Sequence, residues 1–153
     1  LIRIEKKGTI TTGLMVPDLD YPILADNKLK IATAYGMYHP KAEPSKGVFG
    51  DANKSTIRSV FIIDPDKTIQ TILSYPKHIG RNFNEIIRII DALQLAGKYN
   101  VTIPGNWQKG KQVVVPTHVP SEDIKEIYNV EFFTQHQDYL RTIDDPSEDK
   151  KNL

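Results

Sequence analysis

The sequence predicts an α/β protein, and three stretches carry that prediction. Ile57 to Ile63 is a nearly continuous apolar run, followed by a tight turn and a second run from Ile69 to Tyr75. Such a pair reads as an antiparallel hairpin whose first strand is buried on both faces. From Asn82 to about Gly97, Phe83, Ile86, Ile87, Ile90 and Leu93 recur at helical spacing, the mark of an amphipathic helix. Beyond Tyr99 the glycines, prolines and a short strand at Val113 to Val115 indicate a smaller mixed segment.

Bulk properties bound the function. At 153 residues, 39% hydrophobic and 25% charged, the chain suits a soluble globular domain with its own core. A formal charge of +1 gives no reason to expect a nucleic-acid partner or a membrane surface. No run approaches the ~18 apolar residues of a spanning helix, and no signal-peptide pattern opens the chain, so a cytoplasmic location is expected. The sequence contains no cysteine, which excludes disulfides, thiolate metal sites and cysteine nucleophiles within these residues. The opening LIRIEKKGTI lacks an initiator Met and starts inside an amphipathic pattern, which reads as a fragment or a processed beginning.

Taken in order, Gly8 to Asp20 is loop-like. Tyr21 to Asp26 reads as a short buried strand, with Pro22 tolerated near its start. Leu29, Ala32, Thr33 and Met37 predict a helix over Asn27 to Met37, capped by Asp26 or Asn27 and ended near Gly36. His39 to Lys54 is a long loop. Asp64-Pro65-Asp66-Lys67 is the hairpin turn. Asn82 caps the main helix, with Glu85 in the capping-box position. Ser121-Glu122-Asp123 can begin a helix reaching about Tyr128, and the charged residues after Ile143 read as a flexible tail.

Few residues suggest chemistry unaided. The four histidines make no metal-like spacing, there is no Gly-x-Ser-x-Gly elbow and no phosphate loop, so neither metal nor cofactor is expected. Gly80-Arg81-Asn82 before a helix could hold an anion, although a capped helix with an exposed arginine is the plainer reading. Arg58, at the edge of a very apolar run, must reach solvent, pair with a carboxylate or serve a site. Asp64 and Asp66 are most simply turn formers, and Trp107 a core or interface residue.

The order of short motifs adds a resemblance. YPILAD with a following helix and Gly36-Met37, then Arg58-Ser59-Val60-Phe61-Ile62-Ile63-Asp64-Pro65-Asp66-Lys67, then Leu73-Ser74-Tyr75-Pro76 and Gly80-Arg81-Asn82-Phe83-Asn84-Glu85-Ile86 run in sequence. Ala92-Leu93-Gln94-Leu95, Pro104, Asn106-Trp107, Gly110, Pro116 and Tyr139-Leu140-Arg141 follow. From Tyr21 to about Ile143 the chain resembles the one-cysteine peroxiredoxins, thiol peroxidases with a long C-terminal extension. Residues 3 to 20 fit poorly and are expected to be an insertion.

The resemblance implies a thioredoxin-like fold, incomplete in this chain, with a small C-terminal α+β extension. Residues 1–98 would be the C-terminal part of the peroxidase domain, 99–143 the extension that packs on a partner in a homodimer, and 144–153 a tail. It implies a peroxidase reducing hydrogen peroxide and organic hydroperoxides, recycled by a thiol reductant, in an antioxidant role. Arg58 would lie beside the reactive sulfur and Arg81 would orient the site network. Asp66 matches an aspartate linked in some relatives to a phospholipase triad, whose other members would lie upstream. The Pro-x-x-x-Thr/Ser-x-x-Cys segment is absent from the sequence. This chain is therefore expected to be the C-terminal part of a full enzyme and inactive alone. The alternative is a cysteine-less interaction and dimerisation module.

Overall fold

The computed structural model describes residues 21–22, 24, 26, 28–37 and 56–148. The expected loops at 8–20 and 39–54 and the possible cap Asn27 lie outside the described residues. The chain divides into two compact units, Leu1–Gly80 and Arg81–Leu153.

The first unit contains one short helix and one hairpin. Helix α1 spans Lys30–Ala34, shorter than the spacing predicts. The chain first turns through a Leu29 N–H to Asp26 carbonyl bond (2.8 Å), and Leu29 sits in the left-handed region (φ 56°), so helical geometry begins only at Lys30. Asp26 still serves this helix, its Oδ2 accepting from Ala32 N–H at 2.8 Å. Gly36 closes it at φ 63°, a conformation that costs glycine little.

Strand β1 (Arg58–Ile63) pairs antiparallel with β2 (Ile69–Tyr75), with a register shift between Ile62 and Ile63. The turn is built by Asp64, whose Oδ1 accepts from Thr68 N–H at 2.8 Å while its Oδ2 accepts from Gln70 Nε2 at 2.7 Å. Tyr35 packs edge-on against Phe61, centroids 4.8 Å apart. The sequence leads one to expect β1 buried on both faces; it is only half-buried, and Ile63 is 42% exposed. Tyr21 and Leu24, expected in a buried strand, are likewise exposed, with Leu24 in a single β-bridge. The reason is the same in both cases. An apolar strand is covered by neighbours on its edges and layers on its faces, and among the described residues this sheet has two strands.

The second unit holds the packed core. Helix α2 (Phe83–Tyr99) starts at Asn82, whose Oδ1 accepts from Glu85 N–H at 3.2 Å. Glu85 does not return the bond. Its carboxylate grips Arg88 at 2.7 and 2.8 Å, so the capping box is half made. The helix runs two residues past Gly97 and stops where Asn100 turns left-handed (φ 51°). Its buried residues are Ala92 and Leu95, whereas Phe83 and Ile87 of the predicted apolar face are exposed. The small side of the helix meets the core: Ala92 and Leu95 join Val101, Trp107, Val113, Val115, Val119, Ile124, Tyr128, Val130 and Ile143.

Strand β3 (Val113–Val114), helix α3 (Ile124–Ile127) and the hairpin β4 (Thr134–Gln137) and β5 (Leu140–Ile143) complete this unit, with sheet order β3-β5-β4. Burial alternates strictly in β5: Arg141 and Ile143 point into the core, Leu140 and Thr142 away from it. Of the segment expected as a tail, residues 144–148 are described. Asp145 there is 4% exposed and accepts from Gly110 N–H at 3.0 Å.

Candidate functional site

Arg58 opens β1 at a bend. Ile57 N–H donates to the Met37 carbonyl at 2.8 Å, and Ser59 N–H donates back to the Ile57 carbonyl at 2.9 Å, tightening the chain around Arg58. Tyr75 lies opposite it in the ladder, and Ser59 and Ser74 hydroxyls meet one pair further along at 3.2 Å. The guanidinium is exposed, and its Nη1 donates to the Ile79 carbonyl at 3.3 Å. That carbonyl belongs to a turn closed by Ile79 N–H to Pro76 carbonyl, 3.0 Å. The apolar run thus delivers a cation to the start of the strand, and the segment after β2 returns to hold it.

Arg81 is the first residue of the second unit, exposed and one position before the cap of the 17-residue α2. The two predicted site residues therefore belong to different units. Asp64 behaves as a turn former: the Thr68 N–H bond, outweighing a small burial cost and joined by Gln70 and Asp66 N–H, holds its carboxyl below the usual range. Asp66 is exposed in the same turn. Among the described residues no group of three histidine or acidic side chains is arranged to hold a metal ion, and no helix is long and apolar enough to cross a membrane. The Ile79 carbonyl is a contributor the sequence does not reveal, because a backbone acceptor leaves no residue-type signal.

Two family models match the sequence on either side of this turn. Residues 3–72 match the AhpC/TSA family, and residues 92–129 match the C-terminal domain of 1-Cys peroxiredoxin. The chain belongs to the peroxiredoxins. The first match begins at residue 3, which corrects the expectation that residues 3–20 are an insertion outside the family pattern. The 1-Cys peroxiredoxin of Dictyostelium discoideum is 40% identical over 129 residues, covering 84% of this chain and 49% of that protein. A yeast mitochondrial 1-Cys peroxiredoxin superposes with a TM-score of 0.71 at 36% identity, over 84% of this chain and 58% of that one. A mutant of peroxiredoxin 6 from Arenicola marina gives 0.68 at 36% identity, over 87% and 60%. These likenesses establish a peroxiredoxin, thioredoxin-like fold of which this chain spans about half the length of its relatives. The thiol that such a fold carries is not among its 153 residues.

Proposed function

We propose that this chain is the C-terminal part of a thiol-dependent peroxidase that reduces hydrogen peroxide and organic hydroperoxides in an antioxidant role. The observation that carries the proposal is Arg58, kept in its motif, placed at a bend and tied by one donor to the Ile79 carbonyl. In this reading a cysteine thiolate from a segment outside the chain attacks the terminal peroxide oxygen. An S–O bond forms, the O–O bond breaks, and the departing oxygen takes a proton to leave as water or an alcohol, with the sulfur left as a sulfenic acid. Arg58 favours the thiolate by its fixed charge and stabilises the negative charge that grows on the leaving oxygen. Arg81 orients this network, and no cofactor takes part.

Two thiol equivalents then restore the enzyme: the first attacks the sulfenic acid, releasing water and forming a mixed disulfide, and the second displaces the enzyme thiol and leaves the reductant as a disulfide. The yeast relative is described through its thiol resolving mechanism via glutathione and thioredoxin systems, which supports a small or protein thiol as reductant here. Residues 1–98 would complete the peroxidase domain and 99–143 would serve a homodimer, in the cytoplasm.

The test is intact mass and N-terminal sequencing of the protein from its source, followed by a peroxide-consumption assay. A mass well above 17.4 kDa with an upstream Thr-x-x-Cys segment and peroxide turnover is the expected result. A mass equal to this chain overturns it. The second reading, a non-catalytic dimerisation module, is favoured by the absence of cysteine and by the exposed Phe83 and Ile87 on α2. That outcome of the mass measurement would select it.

A further inference from the structure

We infer that the turn Pro76–Ile79 is a positioning element of the peroxide site, acting on Arg58 through the Ile79 main-chain carbonyl. The inference rests on the peroxidase reading above and adds to it a residue set that the arginine motifs do not contain. Arginine at the start of a strand has four rotatable side-chain bonds and, when exposed, many accessible rotamers. A guanidinium that must meet a sulfur and a peroxide at once loses rate when it wanders, since a misplacement of ~1 Å can cost on the order of 100-fold. The structure restrains this one from two sides. The backbone is fixed by the Met37–Ile57 and Ile57–Ser59 bonds, and Nη1 by the Ile79 carbonyl at 3.3 Å.

The Ile79 carbonyl is itself set by local chemistry. Proline at position 76 locks its own φ near −65°, and the Ile79 N–H to Pro76 carbonyl bond (3.0 Å) closes the turn. Tyr75, immediately before it, is the ladder partner of Arg58. One strand end therefore supplies both the residue opposite Arg58 and the carbonyl that takes one edge of its fork. The chain then passes through Gly80 to Arg81, so the same turn connects the two predicted site arginines along the sequence. The part acting on Arg58 is the backbone, and the side chain of Ile79 is 52% exposed.

The experiment uses the full-length protein and three variants: Pro76→Gly, which loosens the turn; Pro76→Ala, which loosens it less; and Lys77→Ala, which removes a neighbouring cation and leaves the turn backbone alone. For each, kcat/KM for hydrogen peroxide, the pKa of the reactive thiol, the melting temperature and the ¹⁵N guanidinium resonances of Arg58 are measured. We expect Pro76→Gly to lower kcat/KM by about tenfold and raise the thiol pKa, with sharper, faster-exchanging Arg58 resonances. Pro76→Ala should fall between it and the parent, Lys77→Ala should match the parent, and no melting temperature should move enough to account for the loss. An active enzyme in which Pro76→Gly leaves kcat/KM and thiol pKa within about twofold overturns the positioning role and leaves the peroxidase reading intact. So does a loss in Lys77→Ala equal to that of Pro76→Gly, which would mean that local charge acts instead of the turn. A source protein without an upstream cysteine overturns both readings together.

Discussion

Arg58 and Arg141 show how differently one residue type can be used. Arg58 is exposed at a strand end, while Arg141 is 3% exposed and donates to neutral oxygens through Nη1 and Nη2, its buried Nε being left without a partner. Its Nη1 donates to the Val119 carbonyl at 2.6 Å and the Ser121 hydroxyl at 3.1 Å, and its Nη2 to the Pro116 carbonyl at 3.0 Å. These bonds fasten β5 to the segment before α3. On the proposed peroxidase reading, replacing Arg58 by Ala in the full-length protein should lower kcat/KM by at least ~100-fold, the scale for losing a transition-state donor, and Lys should restore little because it lacks the fork. Replacing Arg141 by Ala removes the partner of one buried and two part-buried acceptors and should destabilise the protein by about 2–4 kcal/mol, read as a lower urea midpoint. Asp145 makes a pH prediction. Burial pushes its carboxyl up, but hydrogen bonds from the Ser147 hydroxyl and N–H and from Gly110 N–H, with the Lys109 charge, outweigh that and hold it below its ordinary value. A folded-state value below the unfolded one adds stability that is complete above about pH 4 and is lost as pH falls through the folded value. Melting temperature against pH should therefore drop more steeply at the acid end in the parent than in Asp145→Asn.

At the scale of elements, α2 is where periodicity and burial part company. The stripe Phe83, Ile86, Ile87, Ile90 predicts the helix correctly, yet the core is reached by Ala92 and Leu95. Leu95→Ala should cost about 2–4 kcal/mol by leaving a cavity beside Val101 and Trp107, and Asn82→Ala about 1 kcal/mol by removing the cap. Ile87→Lys, at a position 57% exposed, should leave the urea midpoint of the 153-residue chain nearly unchanged. The hairpin of β4 and β5 was hidden from pattern reading because Thr134-Gln135-His136-Gln137 has no apolar alternation and is exposed throughout. Only its pairing with β5, whose Arg141 and Ile143 are buried, makes it a strand.

For the molecule as a whole, the two units differ in how well they are covered. Among the described residues, the fully buried side chains Val113, Val115, Ile124 and Ile143 all lie in the second unit, and each such burial contributes roughly 1.5–3 kcal/mol. In the first unit the sheet, two-stranded among the described residues, exposes Ile69 and Ile72 at 47% and 54%. A hairpin with little covering it is marginal in water. Urea unfolding of the 153-residue chain should accordingly show a shallow or two-step transition by a probe placed in β1, against a sharper one near Trp107. A single cooperative transition of normal slope at both probes would count against this.

Local chemistry was enough, from sequence alone, to place the hairpin turn at Asp64, the cap at Asn82 and the strand and helix that follow them. Each depends on residues within a few positions of one another: a carboxylate reaching the next turn, an amide reaching an N–H three residues on, a branched run favouring extension. Motif order added the family. What tertiary structure alone decided was coverage and long-range contact. It left β1 half-buried because coverage depends on neighbouring strands and layers. It turned Ala92 and Leu95 of α2 inward, buried Arg141 among neutral oxygens, and set the Ile79 carbonyl against Arg58. Those outcomes depend on where distant backbone atoms come to rest, and backbone atoms are the same at every position of a sequence.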